Sequence, residues 1–198
     1  MKRPLVLAST STYRRELLGR LGIPFATAVP QYDEDQHRHR FAQLSEEAYA
    51  LEMASGKARS LAEDYDDHWI LAADQIAVLP GPPRRLLVKP DSESAAVSQL
   101  LELAGRTHHL TTAVVLYDSK TQLMRTAVDR QKLTMRDFSG DEAAAYVARC
   151  RLLASVGAYR IEDAGITLVE SIEGKDYTGI IGLPLLEICK LLREVKLL

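Results

Sequence analysis

The stretch ASTSTYRREL at residues 8–17 combines a run of hydroxyl side chains with two arginines, at the point where a helix is predicted to begin. On a helical wheel Arg14 falls near the middle of the apolar stripe formed by the helix's leucines, with Tyr13 and Arg15 to either side. A guanidinium facing a core needs an anion, and helix N-termini bind phosphate readily. The stretch therefore predicts a phosphate cradle in which Arg14 matters more than Arg15. The alternative is that Arg14 pairs with a carboxylate or extends to solvent.

Asp74 is the second unusual residue, because it interrupts the otherwise apolar run WILAADQIAVL at residues 69–79. In an alternating strand Asp74 shares a face with Ile70 and Ile76, so it does not lie on a solvated face. An ionised carboxylate in such surroundings requires a partner or a metal. The alternative is a structural role, in which the aspartate caps a turn at the end of the strand.

Other charged residues are less informative by themselves. Lys57 follows Gly56 on a predicted helix, Lys89 lies in the step VKP, and solvated lysines are the commoner explanation for both. Glu34 and its acidic neighbours at positions 33 and 35 could ligate a hard cation through oxygen, although a charge run in a loop is usually solvated.

Histidine ligands and common nucleotide-binding motifs are not indicated. His37 and His39 alternate with arginines, and cationic neighbours disfavour a metal site. His108 and His109 point to opposite faces of a strand, so they cannot share a ligand. The sequence contains no GxxxxGK[ST], GxGxxG or GxSxG.

Composition favours one globular domain spanning residues 1–198. The chain is 46% hydrophobic and carries 25 basic against 27 acidic residues, so a nucleic-acid-binding face is not expected. Cys150 and Cys189 lack a CxxC partner, which is typical of a reduced cytoplasmic protein. No apolar run is long enough for a membrane span, and the N-terminal apolar stretch is too short for a signal peptide.

Hydrophobic patterns and turn residues predict the elements that hold these side chains. Strands are expected at residues 5–8, 24–30, 69–79, 108–117 and 123–135, with short ones around Ala158 and Val169. Helices are expected at 12–21, at 45–65, from an Asp91 cap to 104, from a Ser139 cap to 149, and over GLPLLEICKLLREV. Residues 32–40 are expected to form a loop and 80–85 a turn. Strands and helices mingle without strict alternation, so the predicted fold is α/β with a mixed sheet.

The segments LASTSTYRRELL, GKA, AADQIAV, KP, VGAYRIEDAG and GLPL, in that order, resemble the Maf family of nucleoside triphosphate pyrophosphatases. The resemblance spans essentially the whole chain. It implies an elongated α/β fold with flanking helices and two lobes around a deep cleft. It also implies hydrolysis of a nucleoside triphosphate to the monophosphate and pyrophosphate with a divalent metal, which could be Mg²⁺, Mn²⁺ or Co²⁺.

The resemblance also implies roles for individual residues. Ser11 and Arg14 match a phosphate-binding SxxR motif, and Lys57 and Lys89 match two phosphate-contacting lysines. Asp74 matches the catalytic carboxylate, and Glu34 matches an acidic loop residue that would share the metal with it. The oligomeric state is left open, with a homodimer as one option, and neither nucleic acid nor membrane is expected as a partner.

Three further positions bear on the substrate. The family has one branch that prefers dTTP and UTP, and another that resembles 7-methyl-GTP pyrophosphatases. The second branch has an aromatic residue, Gln and Glu at the three positions that distinguish the branches. This chain has Tyr13, Gln75 and Glu162 there, which favours 7-methyl-GTP. The alternatives are a dTTP/UTP pyrophosphatase and a nucleotide-binding regulator of cell division that does not catalyse turnover.

Overall fold

The structure, a computed structural model, describes residues 3–150 and 155–198. Its strands are β1 (Leu5–Ala8), β2 (Ala26–Ala28), β3 (Trp69–Leu79), β4 (Arg85–Leu87), β5 (Thr107–Asp118), β6 (Met124–Met135) and β7 (Val169–Glu173). The α-helices are α1 (Thr12–Gly19), α2 (Glu46–Arg59), α3 (Glu93–Leu103), α4 (Gly140–Cys150), α5 (Tyr177–Ile181) and α6 (Leu185–Glu194). Three 3₁₀ segments lie at Asp35–Ala42, Val156–Ala158 and Ala164–Leu168.

The strands form a seven-stranded sheet in the order β2-β1-β3-β5-β6-β7, with β4 paired to β3. Strand β1 is parallel to both of its neighbours, with Val6 opposite Ala26 on one side and Ile70 on the other. The β3–β4 and β6–β7 pairs are antiparallel. The sheet is therefore mixed, and the predicted α/β class with flanking helices is confirmed.

The chain divides into two compact units. The first unit contains the chain through Gln75, together with Thr111–Asp129 and Asp176–Leu198, and the second contains Ile76–Leu110 and Arg130–Lys175. Strands β3, β5 and β6 each contribute residues to both units. The expected arrangement of two lobes around a cleft stays a prediction.

The core of the first unit explains why its elements form. Leu7 of β1 and Leu71 of β3 are fully buried against Leu17 and Leu18 of α1 and Leu192 of α6. Burying large aliphatic side chains of this kind stabilises a fold by about 1.5–3 kcal/mol each. The packing fixes β1 and β3 side by side, and the residues that follow them form the candidate site.

Serine hydroxyls cap several of the helices, and the predicted Ser139 cap is confirmed. Ser11 caps α1 and Ser45 caps α2, each accepting a hydrogen bond from the backbone N–H three residues on, at 3.3 and 3.1 Å. At α4, Ser139 and Glu142 exchange hydrogen bonds in a reciprocal capping box. The cap of α3 is Ser92 rather than the predicted Asp91.

Several predicted bounds need correction. Helix α1 ends at Gly19 and α2 at Arg59, both earlier than expected, and β2 is limited to three residues between its flanking prolines. Part of the predicted loop after Tyr32 forms a 3₁₀ helix. The strand expected around Ala158 is wrong, because Gly157 and Ala158 have φ values of 83° and 61°, which a strand does not accommodate.

Candidate active site

A buried ion pair joins β3 to α2, and Glu34 contacts the same lysine. Lys57 Nζ lies 2.6 Å from Asp74 Oδ1 and 2.9 Å from Glu34 Oε1. Asp74 is 4% exposed and Lys57 is 7% exposed, whereas the Glu34 side chain is 53% exposed. Asp74 therefore has the charged partner that its apolar strand requires. Of the residues predicted for the site, these three are brought into direct contact.

The position of Glu34 depends on a close approach between Tyr32 and helix α2. A Cβ atom at Gly56 would overlap the Tyr32 ring, so only glycine allows this packing. Tyr32 also stacks on His37, with ring centroids 4.9 Å apart. Because Gly56 directly precedes Lys57, the tyrosine anchors the acidic segment where the lysine can reach it. Sequence reasoning missed this role of Tyr32 and Gly56, and the small residue beside Lys57 was the available signal.

Arg14 is half-buried, and its immediate partner is a main-chain group rather than a carboxylate. Its Nε donates to the carbonyl oxygen of Gly182 at 2.9 Å. Burial lowers the pKa of the Arg14 guanidinium, while the carboxylates of Asp74 and Glu34 act in the opposite direction. The Nε contact fixes the orientation of the side chain, and the electrostatic influence of both acids relates Arg14 to the Lys57 cluster.

Gln75, which follows Asp74, is committed to the protein's own backbone. Its Nε2 atom donates to the carbonyl oxygens of Gly179 and Ile180 at 2.7 and 3.1 Å, and lies 3.1 Å from Thr112 Oγ1. These contacts tie β3 to helix α5. The side chain predicted to help select the substrate thus has its amide nitrogen occupied.

A cavity of about 260 Å³ opens at the N-terminal end of α1 and contains the other arginine of the pair. Its lining residues are Ser9, Thr10, Ser11, Thr12, Arg15, Thr27, Ala28 and Val29. Arg15 is exposed, and within residues 3–150 and 155–198 no carboxylate pairs with it. Hydroxyls, a free guanidinium and a helix N-terminus together suit a phosphate group. The cavity includes Arg15 and not Arg14, so the predicted greater weight of Arg14 in a phosphate cradle stays a prediction. Tyr13 lies half-buried on the same helix.

Lys89 and Glu162 belong to the second unit. Lys89 is exposed shortly after β4, where Gln99 Nε2 holds the preceding Val88 carbonyl at 3.0 Å. Glu162 is exposed on a turn, although shielding of its carboxyl raises its pKa and the nearby Arg160 opposes that shift. Both side chains are accessible to a ligand within their own unit.

The donor set at Lys57 is suited to a hard divalent cation. Glu34 and Asp74 each place a carboxylate oxygen close to Lys57 Nζ, at 2.9 and 2.6 Å respectively. Mg²⁺ is usually bound by one or two carboxylates together with water and substrate phosphates. Within the described residues no group of three or more His, Cys, Asp or Glu could hold a metal alone. The residues therefore fit a cation that is shared with a phosphorylated ligand.

The chain thus combines an α/β fold, a lysine held by two carboxylates and a cavity lined by hydroxyl groups and Arg15. The family model described as Maf-like protein matches residues 4–195, and the chain belongs to that family. No helix in the described part of the chain is long and apolar enough to cross a membrane.

Curated relatives with two different substrate names match nearly the whole chain. A 7-methyl-GTP pyrophosphatase of Syntrophotalea carbinolica is 39% identical over 184 residues, covering 93% of this chain and 90% of the relative. A second 7-methyl-GTP pyrophosphatase, of Chromohalobacter salexigens, is 38% identical over 98% of this chain and 96% of the relative. A dTTP/UTP pyrophosphatase of Moorella thermoacetica is 41% identical over 95% of this chain and 93% of the relative. Overall identity therefore does not separate the two substrates.

Proposed function

We propose that this protein is a nucleoside triphosphate pyrophosphatase that hydrolyses 7-methyl-GTP to 7-methyl-GMP and pyrophosphate. The observation that carries the proposal is the buried ion pair of Lys57 with Asp74, with the more exposed Glu34 as second partner of the lysine, in a chain whose relatives are named pyrophosphatases. A buried carboxylate held by a lysine can orient a water molecule, and the same lysine can stabilise charge that develops on phosphate.

The reaction in this proposal is in-line attack of water on the α-phosphorus. Asp74 positions the water or accepts its proton, and pyrophosphate leaves from the opposite side. Glu34 and Asp74 would hold the divalent cation, which when bound neutralises phosphate charge and polarises the phosphoryl oxygens. Lys57 exchanges part of its contact with the carboxylates for contact with the phosphate.

The cations of the chain match the charge of the substrate. A nucleoside triphosphate carries about four negative charges. Because the net charge of the protein is −2, individual cationic side chains at the site must balance the charge of the ligand. Arg15 lines the hydroxyl cavity, Arg14 is fixed on the same helix, and Lys57 lies in the acidic cluster. Lys89 has, in this proposal, the phosphate-contacting role that the family resemblance implies.

The preference for 7-methyl-GTP depends on Tyr13 and Glu162. Methylation at N7 makes the guanine ring cationic, and a cationic ring stacks on an aromatic face with a gain of about 0.5–2 kcal/mol. The Glu162 carboxylate can accept hydrogen bonds from the N–H groups of the guanine edge. Uracil and thymine would present carbonyl oxygens to the same carboxylate, which is repulsive. Gln75 contributes indirectly in this proposal, because its amide nitrogen is bound to α5.

A panel of nucleotides tests the proposal. Pyrophosphate release should be measured for 7-methyl-GTP, GTP, dTTP and UTP with Mg²⁺, Mn²⁺ or Co²⁺, and again after chelation of the metal. The highest kcat/KM is expected for 7-methyl-GTP, and Glu162→Gln should narrow its advantage over UTP. Faster hydrolysis of dTTP or UTP would assign the chain to the other substrate, as the relative from Moorella thermoacetica is named.

A nucleotide-binding regulator without turnover is the second candidate. It is favoured by one observation, that Lys57 already neutralises Asp74 in a buried ion pair, as a purely structural pair would. Binding of nucleotides without any release of pyrophosphate would support it. A cytoplasmic location also belongs to the proposal, and the free thiols of Cys150 and Cys189 are compatible with a reducing compartment.

A further inference from the structure

A buried histidine on β5 contacts the turn that carries Glu162. His108 is 0% exposed, and its Nε2 lies 2.7 Å from the hydroxyl of Tyr159, which is 5% exposed. The two rings meet edge to face, with centroids 5.6 Å apart. Both residues belong to the second unit. The polar edge of His108 is therefore directed at Tyr159.

Packing alone does not account for this histidine. Its other ring nitrogen, Nδ1, is buried and has no hydrogen-bond partner within the described residues. An unsatisfied buried polar atom is unfavourable, and a phenyl ring would fill similar space without it. The contribution of the imidazole is therefore its Nε2 contact with the tyrosine.

The segment around Tyr159, residues 155–165, is called here the Tyr159 turn. The hydroxyl of Tyr146 on α4 accepts a hydrogen bond from the backbone N–H of Arg160 at 3.1 Å. The Arg160 carbonyl in turn accepts from the N–H of Gly165 at 3.0 Å. Two buried tyrosine hydroxyls thus anchor consecutive residues of the turn, and Glu162 follows two positions later with its side chain exposed.

We propose that His108 is a positioning residue for nucleotide selection, which holds Tyr159 and thereby orients the Glu162 carboxylate toward the base. The inference rests on the proposed function, because it assigns Glu162 to the base. A carboxylate on a fixed turn is already oriented when the substrate arrives, so little conformational freedom is lost on binding. The hydrogen bond between His108 and Tyr159 acts on selectivity in this way without contact between either residue and the substrate.

The test uses variants that remove this hydrogen bond from either end. His108→Phe and Tyr159→Phe keep an aromatic ring, and His108→Gln can restore an amide near the position of Nε2. Tyr117→Phe is the matched control, since Tyr117 is a 5% exposed tyrosine on the same strand. The readout is the ratio of kcat/KM for 7-methyl-GTP to that for UTP.

Both single variants should lower this ratio by about fivefold, mainly through a higher KM for 7-methyl-GTP, which is the effect of losing one buried hydrogen bond. The double variant should be no worse than either single variant, because both remove the same contact. His108→Gln should recover most of the ratio, and Tyr117→Phe should leave it unchanged. An unchanged ratio in both single variants, or effects that multiply in the double variant, would overturn the proposal.

Amide hydrogen exchange separates this inference from the proposed function. If the unmodified protein releases pyrophosphate from no nucleotide, the proposed function fails, and exchange in residues 155–165 still tests the anchoring. Faster exchange there in His108→Phe and Tyr159→Phe, but not in Tyr117→Phe, supports the role of His108. Unchanged exchange in both variants contradicts it.

Discussion

Replacement of Lys57 by Met tests whether the contact with Asp74 is a desolvated ion pair. Methionine has a similar length and no charge, so Asp74, which is 4% exposed, loses the ammonium 2.6 Å away. A buried charge left without its partner destabilises a protein by about 3–5 kcal/mol. Lys57→Met should therefore lower the free energy of unfolding by that amount.

Asp74→Asn should be less costly for stability. Lys57 keeps Glu34 at 2.9 Å, and the loss reduces to one buried hydrogen bond of about 1–2 kcal/mol. The double variant contains neither buried charge, so its destabilisation should be smaller than the sum of the two single values by at least about 2 kcal/mol.

Urea unfolding followed by tryptophan fluorescence provides the measurement. Trp69 is the single tryptophan of the chain and lies in the same unit as the pair. Lys190→Met is the matched control, since Lys190 lies 2.6 Å from Glu187 with its side chain 62% exposed. An exposed pair of this kind contributes less than about 1 kcal/mol. Equal decreases in the free energy of unfolding for Lys57→Met and Lys190→Met would refute the description of Lys57 and Asp74 as a desolvated ion pair.

Turnover separates catalysis from stability in the same variants. Asp74→Asn should lower kcat by at least about a hundredfold, the usual contribution of a positioned base. The double variant should regain part of the stability lost in Lys57→Met but none of the turnover. Turnover near that of the unmodified protein in Asp74→Asn would make Asp74 a structural residue.

Two further predictions concern the arginine pair and the buried histidine. Arg15→Ala should lower kcat/KM by at least about tenfold with no change in the free energy of unfolding, whereas Arg14→Ala should also destabilise the protein by about 1 kcal/mol because it loses its bond to Gly182. Steady-state kinetics and urea unfolding measure both effects. Normal kinetics in Arg15→Ala would contradict the assignment of the cavity to phosphate. Burial lowers the pKa of His108 from 6.5 to about 4, so the unfolded chain takes up a proton more readily below neutral pH, and this residue should reduce stability by about 2 kcal/mol between pH 7 and pH 5. His108→Phe should remove that part of the pH dependence, and identical losses in both proteins would show that the histidine is not desolvated.

Local patterns predicted much of the fold. Strands β1 and β3 have the predicted bounds, because each largely apolar run ends at a proline on one side and at a polar residue on the other. The requirement of Asp74 for a partner also followed from its apolar neighbours. The family resemblance then associated Lys57 and Glu34 with Asp74, and in the structure Lys57 contacts both carboxylates.

Long-range contacts account for what sequence reasoning missed. The helical wheel placed Arg14 on the apolar stripe correctly, but its Nε bond to Gly182 depends on a turn 168 residues away. Arg15 lines the cavity at the start of α1, which the helical wheel alone did not indicate. The approach of Tyr32 to Gly56, and the bonds of Gln75 to α5, likewise join segments that no local pattern relates.

Hydrolysis of 7-methyl-GTP in ¹⁸O-labelled water with Mg²⁺ tests the central claim most directly. Attack of water on the α-phosphorus places the label in 7-methyl-GMP and leaves pyrophosphate unlabelled, and mass spectrometry of the two products distinguishes them. The account predicts that result. Label in pyrophosphate, release of orthophosphate with a nucleoside diphosphate, or no hydrolysis at all would contradict it.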